Sequence, residues 1–77
     1  MYEPGDYVKA EVQDEATSER ELLWVRVEWL DESKRLVVGT LESEPALMTD
    51  PRMRRGLQVG VSYDQIREHI KAASFGQ

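Results

Sequence analysis

Apolar and polar residues alternate with a period of two along much of this chain. Residues 7–13, YVKAEVQ, put Val8, Ala10 and Val12 on one face and Tyr7, Lys9, Glu11 and Gln13 on the other. That is the pattern of a half-buried strand. Gly5-Asp6 marks its entry, and the polar run from Asp14 to Glu19 reads as a loop. A second strand is predicted over about 20–31, containing LLWVRVEWL at 22–30. Leu23, Val25, Val27 and Trp29 share one of its faces; Leu22, Trp24, Arg26, Glu28 and Leu30 share the other. The first set is uniformly apolar and is expected to face the core. The two tryptophans are five residues apart, so Trp24 is left on the outer face.

A third strand is predicted at 34–42, KRLVVGTLE, which is rich in β-branched residues. Its register depends on the hairpin at Asp31-Glu32-Ser33-Lys34. A two-residue loop sets Trp29 against Leu36 and Val27 against Val38, with Trp24 opposite Leu41 on the outer face. A three-residue loop shifts the pairing by one and sends Val37, Gly39 and Leu41 inward. No Asn-Gly or Asp-Gly pair selects between them. After Pro45, Asp50 as cap, Pro51 at the first position and Gly56 past the end predict a single helical turn. A fourth strand follows at 57–61 with Leu57, Val59 and Val61 inward, and Gly60 on the other side suggests a bulge or a close approach. Ser62 with Gln65 forms a capping box. Tyr63, Ile66, Ile70 and Ala73 recur at helical spacing, which predicts an amphipathic helix over 63–74 and a tail at 74–77. The expected fold is mainly β (α+β) and a single domain over 1–77. It is a strongly curved antiparallel sheet or small SH3-like, partly open barrel of four or five strands, with one C-terminal helix.

Composition limits what such a domain can be. With 77 residues and no cysteine, it has a small core and neither disulfides nor cysteine metal sites to support it. Pairing with a second copy is one remedy, and an edge strand on an open sheet leaves room for it. The chain has no apolar run long enough to cross a membrane and no leader-like segment at its acidic N-terminus, so a cytoplasmic location is expected. The net charge of −5 is unevenly spread: residues 1–50 carry 13 acidic and 5 basic side chains, residues 51–77 carry 2 and 5. Solvated surface accounts for most such asymmetry, and an anion-binding end is the alternative.

Trp24-Val25-Arg26-Val27, Gly39-Thr40-Leu41, Glu44-Pro45, Arg55-Gly56-Leu57-Gln58-Val59-Gly60-Val61 and Ile66 follow one another in order. Across about 22–70 this series resembles a family of small bacterial domains of unknown function, which read W-V-x-V, G-x-L, an acidic or amide residue before Pro, then basic-G-x-x-V-x-V and a terminal Ile. Leu57 departs from the Asp expected after the glycine, and Arg67-Glu68-His69 from the aromatic that follows the Ile. The resemblance implies a compact β-rich domain and no activity.

The candidate chemistry is sparse. His69 is the one histidine, and a general base without a nucleophile or metal partner is no active site. No phosphate loop, nucleophile elbow or dinucleotide fingerprint is present. The acidic runs lack the spacing of a calcium loop, so neither enzyme activity nor any cofactor or metal is expected. The acidic balance argues against nucleic-acid binding. Arg52, Arg54 and Arg55 form the one basic cluster and could grip a phosphate or acidic partner. The acids Glu3, Asp6, Glu11, Asp14, Glu15, Glu19 and Glu21 instead suggest a small antagonist or immunity-type protein for a basic target. The preferred reading is a protein-protein interaction or regulatory module, with Trp24, Tyr7 and, under the two-residue loop, Leu41 as contact residues.

Overall fold

Five strands make one antiparallel sheet in the computed structural model, which describes residues 2–72. They are β1 (Tyr7–Gln13), β2 (Arg20–Asp31), β3 (Leu36–Leu41), β4 (Gln58–Ser62) and β5 (Ile66–Ile70), with a 3-10 turn at Tyr63–Gln65. The order across the sheet is β4-β3-β2-β1-β5. Two strands separate β1 from β4, so a flat sheet would hold them about 14 Å apart. Some of their Cα atoms nevertheless lie within 8 Å of each other. The sheet is therefore strongly curled, yet β4 and β5 do not pair and it stays open.

The concave side holds the core. Val8, Ala10, Val12, Leu23, Val25, Val27, Val37, Leu41 and Val61 are all buried there. Alternation on β1 is as predicted. Tyr2, Met48, Met53, Leu57, Tyr63 and Ile66 cap the cluster from the N-terminal arm, the long loop at 42–57 and the far edge. Within that loop the expected helical turn is replaced by two tighter turns, closed by Met53 N–H to Asp50 C=O and Leu57 N–H to Arg54 C=O. Asp50 still caps, accepting the Arg52 N–H at 2.9 Å, and Gly56 has the expected positive φ of 97°.

Two further expectations are corrected. Trp29 does not face the core; it is 51% exposed. Val27 pairs with Gly39, but Trp29 pairs with Val38, so Glu28 is an extra residue that bulges from β2. A bulge reverses the facing of everything beyond it. Leu30 turns inward in place of Trp29 and packs on the core. The hairpin loop is correspondingly longer, Glu32 to Arg35, with Asp31 paired to Leu36. Asp31 accepts hydrogen bonds from Ser33 Oγ and Lys34 N–H, and Arg35 adopts a φ of 53° to close the turn. The outcome for β3 is that of the shifted register: Val37, Gly39 and Leu41 point inward.

The second correction concerns the C-terminal helix. Its capping box exists, since Ser62 N–H donates to Gln65 Oε1 at 2.7 Å, but it opens a single 3-10 turn. Ile66 is already extended, at φ −83° and ψ 130°, and residues 66–70 pair with β1. A short isolated helix is marginal, whereas two β-branched isoleucines beside the free edge of β1 gain ladder pairing on either side of a bulge at Arg67. Ala73 and the tail at 74–77 lie outside the described residues.

Candidate functional site

Of the sequence-predicted binding residues, Trp24 and Tyr7 lie on the convex face of the sheet, Arg52, Arg54 and Arg55 lie in the loop before β4, and Leu41 lies on neither. Leu41 is fully buried and belongs to the core. Trp24 is half-buried on the convex face, and neither a helix nor Arg26 covers it. Lys9, its cross-strand partner, places Nζ 6.0 Å from the ring centroid and 3.8 Å from Glu68. The 6.0 Å distance is the outer limit of a cation-π contact. Tyr7, one pair further along β1, lies between Arg26 and Ile70 and is also half-buried. Trp24 and Tyr7 are thus neighbours on a face whose gaps are filled by charge pairs. Arg26 reaches Glu42 at 3.6 Å and Glu28 at 3.8 Å, while Glu28 accepts hydrogen bonds from Thr40 Oγ1 at 2.6 Å and Gln58 Nε2 at 3.2 Å.

The apolar opening on this face lies around Trp29. In the row across β2, β3 and β4, Trp29 pairs with Val38 and Val38 with Gly60. No charged side chain interrupts it, and it ends at the sheet edge. Nothing in the strict alternation of LLWVRVEWL announces this, because the bulge at Glu28 carries no glycine to mark it.

The three arginines separate. Arg52 forks onto Asp50, with Nη2 at 2.8 Å and Nε at 3.2 Å. Those bonds from the guanidinium, with the Arg52 N–H, hold the Asp50 carboxyl well below the usual carboxylate range. Arg55 is 4.0 Å from Glu42, and its N–H donates to Glu44. Arg54 has no anionic partner among the described residues. It lines an open groove of about 380 Å³ with Pro51, Arg52 and Leu57, immediately before β4. The basic cluster therefore offers one free guanidinium beside an apolar groove, not a three-armed anion clamp.

The acids of the N-terminal half do not form one face either. Asp6 is fully buried; Asp14 is 6% exposed. Asp6 accepts hydrogen bonds from Glu3 N–H at 2.9 Å and Ala72 N–H at 2.8 Å, and its Oδ2 lies 2.7 Å from His69 Nε2. The Tyr2 ring packs edge-on against His69. His69 is thereby a strut between the N-terminal arm and β5, and no hydroxyl among the described residues bonds its ring. The only sequence sign of Asp6 is its place after Gly5 at a strand entry.

Glu19 and Glu21 have a different task. Glu21 accepts the N–H groups of Ala46, Leu47 and Met48, and Glu19 accepts that of Thr49. Burial tends to raise the pKa of Glu21, but the three N–H donors outweigh it and lower the value. These carboxylates clip the long loop to the start of β2, which seats Met48 on the core. Glu21→Ala should leave the sheet folded while the amides of residues 46–48 exchange with solvent roughly tenfold faster or more. Unchanged exchange there would show that packing, not the carboxylate, holds the loop.

Among the described residues there is no helix long and apolar enough to cross a membrane and no cluster of metal-ligating side chains. No family model, no curated protein and no solved structure matches the chain.

Proposed function

We propose that this is a non-catalytic protein-binding module that meets its partner through the convex face of β2, β3 and β4, centred on Trp29. The strand order, the curl and the 3-10 turn before β5 support reading the fold as a partly open, SH3-like small barrel. One observation carries the functional reading: a tryptophan that is 51% exposed, flanked by Val38 and Gly60 in an uncharged row reaching the sheet edge. Tryptophan is the residue type most enriched among interface hot spots, and solvent exposure of so large a ring is otherwise unfavourable. Of the other apolar groups of this face, Trp24 and Tyr7 are half-buried, and the exposed Leu22 stands at the far end of β2, away from the row of Trp29.

Trp29→Ser tests it. The ring supports no core contact, so the variant should keep the circular-dichroism spectrum of the parent. Binding of a partner isolated with the wild-type protein should fall about thirtyfold or more, the loss typical of a hot spot. A partner that binds the variant as tightly as the parent overturns the assignment of this face.

A further inference from the structure

The two sheet edges are not alike. β5 is guarded: Arg67 bulges out of register with β1, and Arg67, Glu68 and His69 fill three of its five positions. β4 has none of these defences. It pairs regularly with β3 from Gln58 to Ser62, and its sequence QVGVS holds no charge and no proline. The bonds Leu41 N–H to Leu57 C=O and Tyr63 N–H to Arg35 C=O set the phase of the ladder. Odd-numbered residues of β4 bond to β3, so the N–H and C=O groups of Gln58, Gly60 and Ser62 point away from the sheet. Ser62 N–H is taken by Gln65. Gln58 and Gly60, both exposed, are left with N–H and C=O groups facing outward.

What flanks this edge matches an incoming strand. On the convex side Gly60 carries no side chain beside Val38, its partner on β3, and a Cβ built there would meet the Leu36 side chain only at van der Waals distance, 3.8 Å. At the start of β4 lies the groove with Leu57 and the unpartnered Arg54.

We propose that β4 is a docking strand that takes an extended segment of a partner protein. An apolar side chain of that segment covers Gly60 against Val38 and Trp29, and a carboxylate further along meets Arg54. The inference rests on the binding-module reading and specifies how the partner is held. A second copy of the chain fits this edge less well. Two-fold pairing about Gly60 sets Ser62 opposite Gln58 of the other copy, where the Ser62 N–H is already committed. A foreign segment needs only Gln58 and Gly60 and can run on toward the groove.

The test selects a displayed library of random dodecapeptides against the wild-type protein and measures the enriched peptides by fluorescence anisotropy. Gly60→Pro removes the outward N–H without touching the bonds to β3. Arg54→Glu reverses the charge at the groove and lies outside every strand, so it serves even if Gly60→Pro fails to fold. Expected are peptides with alternating apolar residues and a carboxylate. Their affinity should fall about tenfold or more with Gly60→Pro and severalfold with Arg54→Glu. Amide shift changes on binding should concentrate at residues 58–62. The proposal is overturned if no peptide is enriched, if bound peptides are indifferent to both variants, or if Gly60→Pro only abolishes a dimer. A natural partner that is lost with Trp29→Ser but keeps its affinity for both edge variants would overturn the docking strand and leave the module reading standing.

Discussion

Gly39→Ala should abolish folding. Gly39 faces inward on β3, opposite Val27 and just before the bulge at Glu28. A Cβ built at this position overlaps the Arg26 carbonyl oxygen, and comes within 2.7 Å of Val25 Cγ1 and 2.9 Å of the Arg26 carbonyl carbon. Two of these three atoms are backbone, in the central pair of the sheet, and cannot turn aside as a side-chain tip can. Relief requires β2 and β3 to separate, which costs ladder hydrogen bonds and opens the core at Val25. Overpacking of this kind costs on the order of 4 kcal/mol or more. A domain of this size is stable by only a few kcal/mol, roughly 3–5. The variant should therefore show a disordered circular-dichroism spectrum and collapsed amide dispersion at room temperature. Gly60→Ala is the control: its Cβ meets its neighbours only at van der Waals distance, 3.8 Å or more, so the change should be neutral or stabilise by about 0.5 kcal/mol through the unfolded chain. A Gly39→Ala protein that melts within a few degrees of the parent would show that β2 and β3 do not approach so closely.

The same close approach explains which features could be read from the chain. Strands β1, β2 and β4 were legible because each buries one face and leaves the other wet, and period-two alternation records that directly. The bulge was not legible. It arises from a competition between Trp29 and Leu30 for the inner face, and a core built mainly of valines around Val25 and Gly39 accommodates leucine more readily than an indole. That competition is tertiary and leaves the alternation of LLWVRVEWL untouched. The expected helix gives way for a different reason. Ser62 and Gln65 do form a local cap, so the start signal was sound. Ile66 and Ile70 fit a helical stripe by spacing, yet the bulge at Arg67 sets them on opposite faces of β5: Ile66 pairs with Ala10 and packs on the core, while Ile70 pairs with Tyr7 and is exposed. Spacing alone cannot separate a bulged strand from a helical turn; the free edge of β1, distant in sequence, decides it. The candidate site moved for the same reason. Alternation puts Trp24 on the outer face, where it is half-buried beside Lys9, and the bulge turns Trp29 to the same face and leaves its ring exposed.

Asp6→Ala should be the second most damaging change, although Asp6 reads in the sequence as one more surface acid. Its carboxylate joins three segments: the N-terminal turn through Glu3 N–H, β5 through His69, and the residues beyond β5 through Ala72 N–H. Lys71 adds an ion-pair contact at 3.8 Å. Removing it leaves two backbone donors without acceptors in a buried place and frees Tyr2 from the core. The expected loss is about 2–4 kcal/mol, read as a shift in the urea midpoint at constant slope. The charge also sets a pH dependence. Burial tends to raise the pKa of Asp6, but the bonds from Ala72, His69 and Glu3 and the charge of Lys71 overcome it and leave the value below the 3.8 of a free side chain. A carboxyl with a depressed folded-state pKa binds its proton more readily in the unfolded chain. Its contribution is therefore complete above about pH 5 and is lost as the pH falls through 3.8 toward the lower folded-state value. Glu19, Glu21, Glu28, Asp31 and Asp50 are shifted the same way, so the parent should lose stability steeply in acid. Asp6→Asn keeps the shape and removes one titrating group. Its stability should be lower at neutral pH and decline less steeply below pH 4, by at most about 1.4 kcal/mol per pH unit, the slope of a single proton. Parallel acid curves for parent and variant would mean that the Asp6 carboxyl titrates alike in the folded and unfolded chain, and that its bonds to His69 and the backbone donors do not favour the charged form.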